Sequence, residues 1–598
     1  MRRVFVLVSK AWLLYRANGI EVLARRVWRY VRRRGIRGIL LDLDNSERFQ
    51  QWLRVHAPSQ EELNRMGVEA LSLTYAPMID VIMPVCDPEL PWLEAAVRSV
   101  RDQVYPHWHL CIADDASRRP AIRDFLDRIA TEDPRVSVVR RAVRGGISAA
   151  TNTALSCMKG EFACFLDHDD ELTPHALHRV VKVLNEYPAL DLIYSDECAM
   201  EGNGRLTDPH FKPSFSPDLL MSMNYIGHLV VCRTELLKHS SGVRSEFDGS
   251  QDYDLLLRLS ELTSQVGNIP DILYHWRRVP GSSSLGMEAK PYADRAATRA
   301  LEDATIRRGL RANVSVVGPG RYRVHCIIHG EPLVSIIIPT RNRRDLLERC
   351  IASIENRTSY QTYEIIVMNN ESDDRSALEF LRSLGSDPKC RVANAEGTFN
   401  WSKLNNTGVE LAKGEYLLFL NNDTEVISPT WLDELVSQGQ HPQIGAVGAK
   451  LLFPDGRIQH AGVVVKRDTV ATHMFRGMDA RANNAVNRYL TEVTRDVSAV
   501  TGACLGTRRE VFEGVGGFRE ELRISYGDVD YCLRLQQQGY RVVWTPYARL
   551  LHHESATRGD TQPNEDEKLF TTLWRERAED PFLSEHLEAE DGTVHIKV

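Results

Sequence analysis

Three carboxylates fall within four residues at Asp167-His168-Asp169-Asp170, directly after the apolar run Gly160-Glu161-Phe162-Ala163-Cys164-Phe165-Leu166. Acids held that close repel one another, and a divalent cation relieves the repulsion. A related stretch occurs 254 residues later, where Gly414-Glu415-Tyr416-Leu417-Leu418-Phe419-Leu420 runs into Asn421-Asn422-Asp423. A short buried strand that delivers oxygen ligands at its carboxyl end makes a metal and phosphate site, so two such sites are expected. Helix capping accounts for only part of the first cluster, because Thr173-Pro174 already offers a cap and first-turn proline to the next helix.

Each copy has a second acidic motif opening an amphipathic segment, Gln251-Asp252-Tyr253-Asp254 and Gly527-Asp528-Val529-Asp530. Such acids either complement a helix dipole or act on a ligand, and their recurrence at matching points brings the second reading level with the first. Beyond them stand His275 and His552, 23 and 24 residues after Asp252 and Asp528, with His553 as a rival to His552. Asp114 and Asp115 end another apolar run, with Asn369 and Asn370 in the matching place. Either pair serves as a turn or helix cap, or as acceptors for a nucleobase or ribose.

These residues need a scaffold that gathers strand ends. Short β-rich runs at 81–84 and 110–113 alternate with helical segments around 93–104 and 122–131, and the pattern restarts at 334–339, 346–355 and 364–368. That alternation predicts an α/β fold with a mostly parallel sheet and helices on both faces. Pro84 matches Pro339 and Ser117 matches Ser372 at an offset of 255; Asn152 matches Asn406 and Asp169 matches Asp423 at 254. The period is too long for a solenoid, so each copy is read as a domain and the chain as a tandem duplication. Expected divisions are a basic helical arm and polar spacer over 1–78, a first domain over 79–325 and a second over 326–598, with turn residues Gly318-Pro319-Gly320 near the junction.

The 598 residues are 43% apolar and 26% charged, ordinary for globular protein. Eleven scattered cysteines without a CxxC pair indicate neither a disulfide framework nor a zinc ribbon, which makes a reducing cytoplasm the simplest compartment. No apolar stretch reaches the roughly 18 to 20 residues of a membrane span. Through Arg37, eleven basic residues face Glu21 alone, a charge of +10 that leaves −17 for the remainder. With Leu13, Leu14, Ile20, Leu23, Val27, Trp28 and Val31 at helical spacing, this arm is expected either on an anionic membrane surface or on the acidic remainder of the protein. No nucleic-acid motif follows it.

The ordered set of motifs resembles inverting family 2 glycosyltransferases of the GT-A fold, from 79 to about 284 and again from 334 to about 555. The proline strand, the acidic "DxD" element, the later "ED" element and the final histidine occur in both halves. Phe211-Lys212-Pro213 through Asn224-Tyr225-Ile226-Gly227, and Phe399-Asn400-Trp401-Ser402-Lys403-Leu404-Asn405-Asn406, are similar to tandem transferases of bacterial surface polysaccharide assembly, including O-antigen and rhamnan types. The resemblance implies two tandem nucleotide-diphospho-sugar transferase domains, a divalent cofactor (Mg or Mn) and a glycan acceptor, lipid-linked in keeping with the basic arm. It assigns metal binding to Asp167, Asp169, His275, Asp423 and His552, and the catalytic base to Asp252 and Asp528. It places Asp114, Asp115, Asp170, Thr340, Asn369, Asn370, Lys403 and Asn422 around the nucleotide. Gln251 and Gly527 stand where the family often has Glu, and Asn421 replaces the first acid of the second DxD element. A scaffolding second half and a sugar-nucleotide pyrophosphorylase are the competing readings. The pyrophosphorylase lacks its glycine-rich basic loop here, since Val85-Cys86-Asp87-Pro88 and Thr340-Arg341-Asn342-Arg343 follow the first strands.

Overall fold

A computed structural model describes residues 45–278, 291–466, 471–479, 488–553, 564–577, 579–590 and 593–598. The basic arm over 1–37 lies outside the described residues. Contacts gather the chain into two compact units, one spanning Phe49–Val324 and the other His325–Lys597. Within the first unit Phe49 and Trp52, on the helix that opens the described residues, are buried and pack on Phe211.

The N-terminal unit is built on strands β1 (Ile79–Val85), β2 (Trp108–Asp114), β3 (Val136–Arg140), β4 (Phe162–Phe165), β5 (Glu171–Leu172), β6 (Leu192–Met200), β7 (Leu206–His210), β8 (Val230–Arg233) and β9 (Val266–Arg277). They form one sheet in the order β3-β2-β1-β4-β8-β6-β9-β5, with β7 beside β6. β1 to β4 are parallel, whereas β8 runs antiparallel to β4 and β6. The first strands are buried on both faces, which explains their runs of Ile, Val, Leu and Met. Helices Leu90–Arg101 and Pro120–Glu132 turn Leu93, Val97, Ile122 and Leu126 onto the sheet and complete its core.

A hairpin of β10 (Ala312–Gly318) and β11 (Arg321–Cys326) follows. The C-terminal unit then repeats the plan with β12 (Val334–Thr340), β13 (Tyr363–Asn370), β14 (Cys390–Ala395), β15 (Tyr416–Leu420), β16 (Thr424–Val426) and β17 (Ile444–Leu452). Short strands β18 (Ile458–His460), β19 (Val463–Val464), β20 (Thr472–His473) and β21 (Arg495–Asp496) precede β22 (Cys504–Arg508) and β23 (Arg541–His552). The order β14-β13-β12-β15-β22-β17-β23-β16 matches the first sheet strand for strand.

The repeated proline has a local purpose. β1 pairs with β4 only as far as Ile82 with Phe165, and β12 with β15 only as far as Ile337 with Phe419. Pro84 and Pro339 come two residues later, on the edge where the ladder has ended, so the missing N–H forfeits no bond. The neighbouring strand is released there, and both acidic elements emerge at these openings.

Candidate active site

β4 ends at Phe165, and the chain leaves the sheet through Asp167 beside the carboxyl end of β1. His168 reaches the Pro84 carbonyl at 3.1 Å. Asp170 is buried, accepting from the Tyr274 hydroxyl at 2.6 Å and the Arg277 backbone N–H at 2.8 Å. It ties the turn to β9, whereas the resemblance placed it on the nucleotide. Asp167 and Asp169 stay partly exposed. Burial raises the pKa of Asp167, with Asp169 and Asp252 adding to the rise and His228 and His168 opposing it. Burial, with Asp167 and Asp169 adding, also holds Asp170 well above the usual carboxylate range. Oxygen donors under such mutual repulsion fit Mg or Mn.

Asp252 is exposed in the first turn of helix Gln251–Leu262, its Oδ2 accepting from Asn224 Nδ2 at 2.9 Å. Asp254 is buried instead, bonded by Arg258 Nη2 at 2.8 Å and Arg244 Nε at 3.1 Å. The motif therefore divides into one acid facing out and one holding the helix.

The acids ending β2 are already engaged. Asp114 Oδ1 accepts from the Ser117 N–H at 2.9 Å, an Asx turn. Asp115 takes the N–H groups of Gly145 and Gly146 at 2.8 and 2.9 Å and Arg141 Nε at 2.9 Å, so it fixes the entry to helix Ile147–Leu155. In the C-terminal unit Asn369 repeats the Asx turn with Ser372 at 3.2 Å and donates to Asn394 at 2.8 Å. Asn370 donates to the Ala395 and Gly397 carbonyls, and its buried Oδ1 has no hydrogen-bond partner among the described residues. Of these four expected nucleotide contacts, Asn370 keeps an open acceptor.

In the second acidic element Asp423 Oδ1 lies 3.2 Å from His552 Nε2, and Asn421 Nδ2 is 3.5 Å from the same nitrogen. Asn421 Oδ1 accepts from Trp401 Nε1 at 3.4 Å. Asn422 donates to Thr340 Oγ1 at 3.0 Å; both are buried, and the bond fastens the end of β15 to β12. Lys403 is exposed in the first turn of helix Trp401–Leu411. The His553 ring sits 3.7 Å from Glu425, and its backbone N–H donates to the Asp423 carbonyl at 2.9 Å. Asp528 Oδ2 accepts from the Gly502 N–H at 2.6 Å, while Asp530 is buried against Arg534 at 2.8 Å.

Among the described residues, ligand atoms of three metal-binding types lie within 4.8 Å of one another at Asp80, His109 and Cys111. This trio stands at the opposite end of β1 and β2, and its partners are internal. Asp80 holds the Lys159 and Gly160 N–H groups at 3.0 and 2.7 Å, and His109 meets Ser137 at 2.8 Å. The second unit performs the same task with Ser335 and Glu364, which take the Gly414 and Lys413 N–H groups at 2.8 and 2.6 Å. A shared task met by residues that bind no common metal identifies a structural clamp on the glycine turn before β4 and β15.

The description "Glycosyl transferase family 2" matches residues 80–234 and 335–516, more than half of the chain and both acidic elements. The chain belongs to that family. It is 39% identical over 543 residues to "O-antigen biosynthesis protein RfbC" of Myxococcus xanthus, covering 90% of this chain and 42% of that protein. It is 42% identical over 507 residues to "Uncharacterized protein y4gI" of Sinorhizobium fredii (strain NBRC 101917 / NGR234), covering 83% of this chain and 55% of that one. The chain thus spans about half the length of these relatives. Among solved structures, S. aureus TarS 1-349 in complex with UDP-GlcNAc overlaps 38% of this chain and 66% of its own, at 17% identity and a TM-score of 0.33.

Strand register in this family 2 chain corrects one expected site residue. Glu171 pairs with His275, whereas Glu425, 254 residues on, pairs with Leu551. His275 therefore matches Leu551, and His552 matches Trp276. A slip of one residue reverses the face of a strand. Tyr274 turns to Asp170, but His275 has His175 and Arg277 as its titratable neighbours, and burial lowers its pKa to about 4.

The imidazole that does face the first acidic element is His228, which sequence spacing missed. Its ring stacks on Tyr274 at 4.6 Å, and its Nδ1 lies 3.1 Å from Glu197 Oε2. Burial opposes its charging, yet Glu197, Asp167 and Asp170 outweigh burial and lift its pKa to about 9. Buried Lys212 donates to the Ser195 and Ile226 carbonyls at 2.6 and 2.5 Å, and to that of His228, fixing the loop. A signal was present, since the stretch quoted for its family likeness stops at Gly227, one residue before His228.

Proposed function

We propose that the chain is a bifunctional inverting glycosyltransferase that moves sugars from nucleotide-diphosphate donors to acceptor hydroxyls of a growing cell-surface polysaccharide. The observation that carries this reading is the repeated geometry: each unit presents an acid at the opening beside its proline strand and a second acid in the first turn of a helix. Family membership of both segments supports glycosyl transfer, and likeness to an O-antigen biosynthesis protein across 90% of the chain supports the polysaccharide context.

In this mechanism Asp167 and Asp169, and Asp423 with His552, hold a divalent cation, Mg or Mn. When bound, that ion neutralises the diphosphate leaving group. Asp252 and Asp528 each take the proton of the attacking hydroxyl. Asn224 and the Gly502 N–H anchor one oxygen of each carboxylate and so fix its orientation. Attack from the face opposite the nucleotide inverts the anomeric carbon in one displacement, so no carboxylate nucleophile is needed. The open Oδ1 of Asn370 suits a nucleobase N–H in the second unit.

The test incubates the full chain with nucleotide-diphospho-sugars, Mg or Mn, and a glycan acceptor, following nucleoside diphosphate release and the anomeric configuration of the product. Release coupled to an inverted linkage is expected. Retention of configuration, or no turnover with any donor, overturns the proposal. One observation favours a second reading in which the C-terminal unit only binds: Asn421 stands in place of an acid.

The basic arm, in the same proposal, rests on an anionic membrane surface and brings the enzyme to a lipid-linked acceptor. Removing residues 1–37 is expected to abolish cosedimentation with anionic vesicles; unchanged cosedimentation refutes this part.

A further inference from the structure

The two units obtain an imidazole at their acidic elements from different places, and the exchange is reciprocal. β4 pairs with β8 through Cys164 and Val231, and the same register carried forward sets His228 across from Asp167. In the second unit Leu420 pairs with Cys504, and the Asn421 N–H bonds the Ala503 carbonyl at 3.2 Å. Ala503 therefore occupies the place of His228. The place of His552, in turn, is held by Trp276. Each unit lacks the other's histidine and has its own.

His228 also carries the support that a ligating imidazole needs. Glu197 engages Nδ1, and among the described residues no hydrogen bond uses Nε2. A carboxylate on one ring nitrogen fixes the ring and raises the basicity of the other, the usual arrangement behind a metal-bound histidine. Glu197 is itself held charged: burial opposes this, but Lys212, His210 and His228 outweigh it and keep its pKa well below the ordinary value. A part-exposed histidine with a merely structural role has no need of this chain of support, nor of a place opposite Asp167.

We infer that His228, through Nε2, is the nitrogen ligand of the divalent cation in the N-terminal unit, oriented by Glu197 and Lys212, and that it replaces the histidine which β23 supplies in the other unit. The inference rests on the metal-dependent reading proposed above and adds its ligand. It also predicts unequal sites, since the two imidazoles approach from different strands.

Manganese binding to the full chain tests it in a background carrying Asp423→Asn and His552→Gln, which leaves the N-terminal site alone. His228→Gln and Glu197→Gln are each expected to weaken Mn²⁺ affinity by about 10- to 100-fold, and His275→Gln to leave it unchanged. Affinity that survives His228→Gln, or that falls with His275→Gln, overturns the inference. Electron spin-echo measurements on the background protein give a second readout that does not depend on the folding of His228→Gln. A nitrogen coupling to bound Mn²⁺ is expected. Bound Mn²⁺ without nitrogen coupling defeats the assignment of His228 alone, and absence of any bound Mn²⁺ defeats the metal-dependent reading with it.

Discussion

Two aspartates two residues apart perform opposite duties in each unit. Asp252 is exposed, and Asp254 is buried between two arginines; Asp528 is half-buried on the Gly502 N–H, and Asp530 is buried against Arg534. Asp254→Asn is therefore expected to cost about 3–5 kcal/mol in unfolding free energy, because it leaves buried guanidinium charge uncompensated. Asp252→Asn should leave unfolding nearly unchanged while lowering kcat for one linkage by about 10²- to 10⁴-fold. Denaturant melts beside initial rates check both, and equal effects from the two variants contradict the division. His228 yields a pH prediction with a definite sign. Its pKa is raised to about 9 from an ordinary 6.5, so the stability its charge contributes is fully present below pH 6.5 and is lost as pH rises through about 9. Metal-free protein should melt several degrees lower at about pH 9.5 than at about pH 7, and His228→Gln should flatten that decline. Residue types and spacing revealed the paired acids but not which member faces outward, because Arg244 precedes Asp254 by ten residues and acts through the fold. The same limit misplaced His275, where spacing alone could not resolve a one-residue slip.

At the level of elements, anchors between distant segments set the geometry. Asn152 exchanges two hydrogen bonds with the backbone of Val243, and Asn406 does the same with Phe518. Their repetition in sequence therefore marks an architectural link between the helix after β3 or β14 and the segment before the second acid. The C-terminal unit adds another anchor in helix Asn564–Trp574, where buried Asp566 accepts from the N–H groups of Arg523, Ile524 and Ser525 at 3.2, 2.8 and 2.9 Å. These residues lead directly into Asp528. Asp566→Ala should cost about 3 kcal/mol and depress the activity that depends on Asp528, leaving the activity of Asp252 intact. A variant that loses both activities together, measured on protein shown to be folded, contradicts this local role. The alternation of strands and helices was legible because both faces of β1, β2, β12 and β13 are buried. The work of Asp115 was not, since its partners Gly145 and Gly146 lie 30 residues away and the turn reading accounted for it locally.

Across the whole molecule, one sheet order occurs twice while the chemistry at its strand ends has diverged. The first unit gathers Asp167, Asp169 and Asp170 with His228; the second keeps Asp423 with His552 and has Asn421 and Thr424 in place of Asp167 and Asp170. Asp115 faces N–H groups where Asn370 faces carbonyls, so even the matching turns have opposite polarity. Such divergence on one scaffold accords with the proposal of two distinct donors or linkages. The most direct measurement is therefore product linkage analysis with the full chain, Asp252→Asn and Asp528→Asn on the same donors and acceptor. Two transferases predict that each substitution removes a different linkage and spares the other. If Asp528→Asn leaves every product unchanged, the C-terminal unit does not transfer sugar and the central claim is wrong.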